Sequence, residues 1–338
     1  MRIKLLIATV DIVYAKLLSD NISEHHSDTI DVSICSVLEG LHEMLSKRKY
    51  NVALVDAAMI EHIDKKIIHL PLLLRSESDD ADELPQEDIE RINKHQRIST
   101  IVSIILEKYA KISGNMPFCE SKKANITAVW SPAGGVGKTT VALAYALSNA
   151  AQGKEVFYLN LENFSSVPGY FAENGKSIST VFEMLDDEEG NVKMLIQGIS
   201  CKDDAITYLC SPDNYEDMCI LSNENIHDLV RTCTELSDEL VIDLSCIYDT
   251  RTKKVFEIAD KVLIVTDQSA SAEVKLEQFV SQNNVYENIK EKVSFVANKG
   301  AVINETLSAS TASFPLIESF EDSMVYRMLS EKGSWEYA

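Results

Sequence analysis

Short apolar runs alternate with amphipathic stretches along this chain, and their lengths set its architecture. Lys4 to Thr9 (KLLIAT) has the unbroken apolar character of a parallel strand covered on both faces. Asp11 to Ile22 follows with apolar residues at helical spacing: Ile12, Ala15, Leu18 and Ile22. The pattern repeats. Ile30 to Val37 predicts a second strand, Leu41 to Lys49 a second helix, and Tyr50 to Val55 a third strand ending at Asp56. Ile67 to Leu74 is a fourth strand candidate, and Ile98 to Tyr109 closes the series as an amphipathic helix. Strands and helices alternating at these lengths predict a doubly wound parallel sheet. Between the last two elements, Ser76 to Asp88 (SESDDADELPQED) is acidic and polar, as in a solvated loop or frayed helix.

Polar residues with Gly114 and Pro117 mark a linker, so the expected division is a domain over 1–113, a linker over 114–123 and a second domain over 124–338. In the second domain a β-branched lead-in, Ile126 to Trp130, enters a glycine-rich turn and then the helix-forming series Val141 to Leu147. Further strands are predicted at Glu155 to Leu161, Ile206 to Cys210, Leu240 to Leu244, Asp260 to Asp267 and Lys292 to Asn298. Helices are predicted at Ser177 to Leu185, Glu224 to Leu236 and Ala272 to Ser281. This half is again α/β, with a mostly parallel sheet.

Composition narrows the function. The chain has 338 residues and 45% hydrophobic content. With no apolar run of about eighteen residues, two soluble domains and no membrane span are expected. Met1 to Val10 is too short and too strand-like for a signal peptide, so a cytoplasmic protein is expected. Seven cysteines without a C-x-x-C pair argue against a disulfide framework or a zinc site. A formal net charge of −21 opposes a phosphate backbone, so no nucleic-acid partner is expected.

The chemistry is concentrated at WSPAGGVGKTT, residues 130–140. Gly134, Gly135 and Gly137 let the backbone turn tightly, so that the amides from Gly134 through Thr140, Val136 included, can cradle a polyphosphate at a helix N-terminus. Lys138 would reach the β- and γ-phosphates of ATP, and Thr139 would place its hydroxyl on Mg²⁺. Pro132 occupies the position where the ordinary motif has its first glycine. Within the apolar strand LVIDL, Asp243 is a buried-type acid that needs a cation, which Mg²⁺ supplies through a coordinated water.

This loop resembles that of the ParA/MinD superfamily of dimeric ATPases, Lys-Gly-Gly-x-Gly-Lys-Thr, whose first lysine crosses the dimer interface. Ala133 stands at that position. The resemblance implies ATP and Mg²⁺ as ligands, a homodimer, and Lys138, Glu162 and Asp243 as the residues closest to catalysis. Asn160 and Glu162 occupy the family's D-x-D pair, where the second acid positions the attacking water; capping a turn is the alternative role. Asn298 matches the family's adenine-contacting asparagine, with a strand-ending turn as its alternative. FPLIESFEDSMVYRMLSEKG resembles the family's last strand, loop and helix, which would place Pro315 and Leu316 at the edge of the adenine pocket. With Ala133 and Glu162 in those places, slow hydrolysis is expected.

The first domain is similar to a flavodoxin-like response-regulator receiver. Asp56 matches the phosphoacceptor and Lys94 the lysine after the fifth strand, but only Asp11 remains of the acidic pair that holds Mg²⁺. Its alternatives are a working phosphoacceptor and a fold kept as an interaction surface. The domain order resembles the TadZ/CpaE proteins, which help place and assemble the Flp (Tad) pilus secretion machine at a cell pole. That resemblance implies the secretion machinery or a polar marker as partner, with any membrane association peripheral and through partners. A ParA-type partition ATPase and a MinD-type positioning ATPase are the nearest alternatives. A nitrogenase-reductase-like electron carrier, using Cys210 and Cys246 around a shared cluster, is a further one.

Overall fold

A computed structural model of the chain describes residues 2–27, 29–63, 67–76, 89–113, 124–187, 190–301, 311–317 and 322–332. The expected linker over 114–123, nearly all of the acidic run and part of the C-terminal stretch lie outside them. The chain forms two compact units, Met1–Asn115 and Met116–Ala338.

The first unit runs β1 (Ile3–Ala8), α1 (Ile12–His25), β2 (Ile30–Cys35), α2 (Leu38–Lys47), β3 (Val52–Asp56), α3 (Ala57–Ile60), β4 (Leu70–Arg75), β5 (Glu90–Asn93) and α4 (Ile98–Ile112). Its five strands lie in the order β2-β1-β3-β4-β5, all parallel, which is the flavodoxin-like doubly wound order. Leu6, Ala8, Ala53 and Val55 fill one side of the central strands together with Leu41, Met59 and Leu73. The fourth strand starts three residues later than its apolar run suggests. Leu70 N–H donates to Asn51 O at 3.0 Å, and the ladder opens there with Leu70 opposite Val52.

The second unit runs β6 (Asn125–Trp130), α5 (Lys138–Ala151), β7 (Val156–Leu161), α6 (Ser179–Asp186), α7 (Val192–Ile199), β8 (Cys201–Asp203), β9 (Ile206–Tyr208), α8 (Tyr215–Ile220), α9 (Asn223–Thr234), β10 (Glu239–Leu244), α10 (Thr250–Ile258), β11 (Lys261–Thr266), α11 (Ala270–Val280), α12 (Asn283–Tyr286), β12 (Val293–Ala297), β13 (Thr311–Ser313) and α13 (Asp322–Lys332). The strand order is β13-β12-β11-β6-β10-β7-β9-β8; among the described strands only β8 runs antiparallel to its neighbour. After β6 the chain moves outward to β7 on one side, and β11 later joins β6 on the other. The C-terminal end of β6 is therefore a switch point, where ligands of open α/β sheets bind. The sequence pattern does not predict β8, β13, α7, α8 or α10. Three-residue strands are too short for a period, and TRTKKVFEI in α10 buries only Thr252, Val255 and Phe256.

Among the described residues, no helix is long and apolar enough to cross a membrane.

Candidate functional site

The site grows from the end of β6. Gly135 (φ 76°) and Gly137 (φ 90°) take left-handed conformations, and Gly137 precedes the first residue of α5. Gly137 has a second reason to be glycine: a Cβ there would lie 2.4 Å from Asn298 Nδ2. That amide donates to the Val136 carbonyl at 2.9 Å, so Asn298, buried at the end of β12, braces the loop. Helix α5 then presents Lys138 and Thr139 in its first turn, with Lys138 only 8% exposed. Thr139 Oγ1 lies 3.3 Å from Ser166 Oγ, and Thr140 Oγ1 lies 3.3 Å from the Tyr170 hydroxyl. Gly134 and Gly135 are exposed at the loop's outer turn, whereas Val136 and Ala133 are buried in the core beneath it. A lysine replacing Ala133 would have to leave that packing.

Strand register supplies the acidic side. Asp243 pairs with Val129 of β6 on one side and with Asn160 of β7 on the other. Its carboxylate is fully buried. The Tyr158 hydroxyl donates to Oδ2 at 2.9 Å, while Oδ1 has no hydrogen-bond partner among the described residues. Burial, and then the like charge of Glu162, push the Asp243 carboxyl up to about 7, against the opposing pull of Thr139, Lys138 and Tyr158. Burial next to Asp243 raises the Tyr158 hydroxyl well above its usual value, so it stays a proton donor.

An unpaired buried carboxylate oxygen costs about 1–3 kcal/mol or more. Its presence beside a threonine hydroxyl, behind an amide-lined loop, suits a hard divalent cation such as Mg²⁺. Asp243 and Thr139 are the residues that would hold it.

Glu162 sits at the rim of the same cluster. Ser166 Oγ donates to Glu162 Oε2 at 2.9 Å. The Asn160 amide lies within 3.4 Å of Glu162, Asp243, Ser166 and Tyr158, more acceptors than its two hydrogens can serve at once. Lys138, Thr139, Glu162 and Asp243 are thus gathered at the ends of β6, β7 and β10.

Pro315 and Leu316 are exposed and follow Phe314. That residue's N–H donates to Ala297 O at 2.8 Å, which sets the segment beside the end of β12 near Asn298. Tyr158, Ser166 and Lys299 complete the neighbourhood without having been singled out. Tyr158 alone left a trace in the sequence, since it lies two residues before Asn160 on the same face of a strand.

The matching corner of the first unit is built differently. Asp56 ends β3, and its Oδ2 accepts the Thr9 hydroxyl in a short contact and the Val10 N–H at 3.1 Å. Lys94, just beyond β5, lies 3.3 Å from Asp11 and 4.8 Å from the ring centre of Tyr14. Burial, followed by the charges of Asp56 and Asp11, pushes the Tyr14 hydroxyl up to about 12.

The two cysteines considered for a cluster sit in unlike surroundings. Cys210 is buried with its Sγ 3.7 Å from that of Cys201, whereas Cys246 is exposed beyond β10.

No protein-family model matches this chain, and no curated protein sequence does. Solved structures do. A ParA family ATPase from Chlorobium tepidum TLS superposes with a TM-score of 0.51 at 16% identity, covering 62% of this chain and 92% of its own. A putative plasmid partition protein from Borrelia burgdorferi B31, bound to AMPPNP, gives 0.48 at 15% identity over 61% and 90%. The septum site-determining protein MinD from Pyrococcus horikoshii OT3, complexed with Mg-ADP, gives 0.46 at 13% identity over 62% and 95%. The argument from likeness rests on the first of these, and it is one of fold: the chain carries the α/β P-loop fold of a ParA family ATPase.

Proposed function

We propose that this protein is a dimeric ATPase that binds Mg-ATP, hydrolyses it slowly, and acts as a polar localisation and assembly factor for a Flp (Tad) type pilus secretion system. The observation that carries the nucleotide reading is Asp243 Oδ1: a buried carboxylate oxygen without a hydrogen-bond partner among the described residues, in the cluster with Thr139 and behind a glycine-rich loop at a helix N-terminus. Bound Mg²⁺ would neutralise polyphosphate charge. Lys138 would bind the phosphates, Thr139 and Asp243 would hold the ion, and Glu162, oriented by Ser166, would position water. Asn298, Pro315 and Leu316 would border the base. Slow turnover follows from Ala133, which supplies no cation where charge develops; such contacts are worth about 10³ to 10⁵ in rate in arginine-finger systems.

Pilus placement rests on the order of the two domains and on Asp56 lacking an acidic pair. A partition or positioning ATPase is the second reading, and the shared fold favours it. The net charge of −21 weighs against its nucleoid-binding form.

Calorimetric titration with Mg-ATP together with light scattering tests the proposal. Tight binding by a dimer, lost in Lys138→Ala, is the expected result. A wild-type monomer that binds no nucleotide would overturn it.

A further inference from the structure

The turn after β12 reaches back to the phosphate loop through a residue that the roles above leave unused. The chain leaves Asn298 through two successive left-handed residues, Lys299 at φ 55° and Gly300 at φ 75°. The Cβ of a lysine disfavours this conformation, so the surroundings must hold it there. Asn298 N–H donates to Thr266 O at 2.8 Å, Gly300 N–H to Phe314 O at 2.8 Å, and Gln268 Nε2 to Lys299 O at 2.8 Å. The turn is bolted to the end of β11 and to the segment after β13.

Held this way, Lys299 Nζ donates to the Gly135 carbonyl at 2.6 Å and lies 3.3 Å from the Asp267 carboxylate. Its neighbour Asn298 donates to the next carbonyl of the loop, that of Val136. Two successive loop carbonyls are therefore tied by two successive residues of one turn. In a planar trans peptide the C=O and the following N–H point in opposite directions. Tying the carbonyls of Gly135 and Val136 toward the turn aims the N–H groups of Val136 and Gly137 away from it. Successive amides aimed together make an anion-binding concavity.

Resting on the nucleotide reading above, we propose that Lys299 is a positioning residue of the phosphate loop: its ammonium holds the Gly135 carbonyl outward, which presents the Val136 N–H to a polyphosphate. Lys299 also leaves a positive charge beside the loop, and Asp267 partly neutralises that charge. Removing the lysine frees the Gly135 peptide to rotate, whereas removing the charge of Asp267 leaves the clasp in place and the local field more positive.

The test is calorimetric titration of the full chain with Mg-ATP for wild type, Lys299→Met, Lys299→Arg and Asp267→Asn, with thermal melting as the check on folding. Lys299→Met is expected to bind about tenfold more weakly, the size of one charge-assisted hydrogen bond, and Lys299→Arg to restore affinity to within about threefold. Asp267→Asn, which keeps an acceptor for Ser269, is expected to bind at least as tightly as wild type. If Lys299→Met does not fold, Lys299→Gln replaces it with the same expected loss. Wild-type affinity in Lys299→Met overturns the proposal. Equal losses in Lys299→Met and Asp267→Asn also overturn it, because the ion pair would then be a brace of its own turn and nothing more. A wild-type chain that binds no Mg-ATP removes the nucleotide reading and this proposal together; binding that Lys138→Ala abolishes and Lys299→Met leaves intact removes only the second.

Discussion

The two units place a carboxylate at the same kind of location, the C-terminal end of a buried parallel strand, and treat it in opposite ways. At the end of β3, Asp56 receives the Thr9 hydroxyl and the Val10 N–H on one oxygen, and the nearby ammonium of Lys94 is engaged with Asp11. In β10, Asp243 is more deeply buried, yet among the described residues only Oδ2 has a donor and Oδ1 has none. The first corner gives its carboxylate two donors from its own chain, both on one oxygen. The second leaves a buried carboxylate oxygen without a donor among the described residues, and it is the one flanked by a glycine-rich loop and a helix N-terminus. Fold alone does not distinguish the two corners, since both sheets are doubly wound; the hydrogen-bond account of one carboxylate does.

The hardest blow to this contrast is Lys138→Ala. On the proposed reading the loop would bind through Lys138, the amides and an ion held by Thr139 and Asp243, with Lys138 supplying a full positive charge in the cradle. Its loss should weaken Mg-ATP binding on the order of 100-fold, the size of two charge-assisted hydrogen bonds, and Thr139→Ala should also abolish the Mg²⁺ dependence of what remains. Both variants should melt near the wild type. Wild-type affinity in a calorimetric titration of Lys138→Ala would leave the Asp243 corner no more functional than the Asp56 corner.

The next effect is on pH. Burial and the charge of Glu162 push the Asp243 carboxyl up to about 7 in the folded protein, well above the usual carboxylate range. A raised carboxyl binds more protons folded than unfolded, so without metal the chain should lose stability as pH rises from about 4 to 7 and level off above that. Metal binding needs the carboxylate, so Mg²⁺-dependent ATP affinity should rise by up to about tenfold per unit of pH below 7 and flatten above it. Asp243→Asn should flatten both profiles. A metal affinity that is level from pH 5 to 8 would mean that Asp243 is ionised throughout this range.

The parts of the site that the sequence displays are those built by neighbours in the chain. Gly135, Gly137, Lys138 and Thr139 lie within five residues, and the strand–turn–helix around them follows from local apolar patterning. Asp243 was legible because an acid inside LVIDL is anomalous wherever the strand goes. What could not be read depends on pairing. The Tyr158 hydroxyl reaches Asp243 only because β7 lies beside β10, and Lys299 meets Gly135 across 164 residues of sequence. The glycine at 137 reads as a turn requirement, but its packing against the Asn298 amide does not. The short strands β8 and β13 escaped for a related reason, since three residues held by an adjoining strand carry no period of their own.

Tyr158→Phe sharpens the contrast by removing the closer of two donors to Asp243 Oδ2 from the neighbouring strand, the hydroxyl at 2.9 Å, and leaving the Asn160 amide at 3.4 Å. The ring is fully buried, and the change removes a single oxygen without opening a large cavity. The carboxylate loses a charge-assisted hydrogen bond, a destabilisation of about 1.5–3 kcal/mol when it is ionised. Because that bond favours the ionised form, the midpoint of the Mg²⁺-binding profile should move upward in pH, by about a unit for each 1.4 kcal/mol lost. Denaturant unfolding at pH 5 and pH 8 separates the two consequences: the penalty should be larger at pH 8, where the carboxylate is charged. An equal penalty at both would assign Tyr158 to packing alone.

The smallest effects belong to the first unit, and there the prediction is of silence. Transfer of a phosphoryl group to Asp56 would require a divalent ion to neutralise the incoming charge and a free carboxylate oxygen to attack. Asp11 is the acid available beside the first strand, and it is already held below its usual value by the Tyr14 N–H and by Lys94, with burial opposing them. A single carboxylate committed to a lysine holds Mg²⁺ weakly. Asp56 in turn has its Oδ2 under the Thr9 hydroxyl and Val10 N–H, hydrogen bonds that stabilise the carboxylate and weaken it as a nucleophile. Incubation with acetyl phosphate and Mg²⁺ should therefore leave the mass of the intact protein unchanged. Asp56→Asn, which keeps an acceptor for Thr9 and Val10, should shift stability by no more than about 1 kcal/mol. Thr9→Ala uncovers the carboxylate without supplying the missing acid, so it should stay unlabelled as well. Stoichiometric, Mg²⁺-dependent labelling of the wild type that vanishes in Asp56→Asn would show that a carboxylate given donors by its own chain can still be a phosphoacceptor. The contrast between the two corners would then fail at its quieter end.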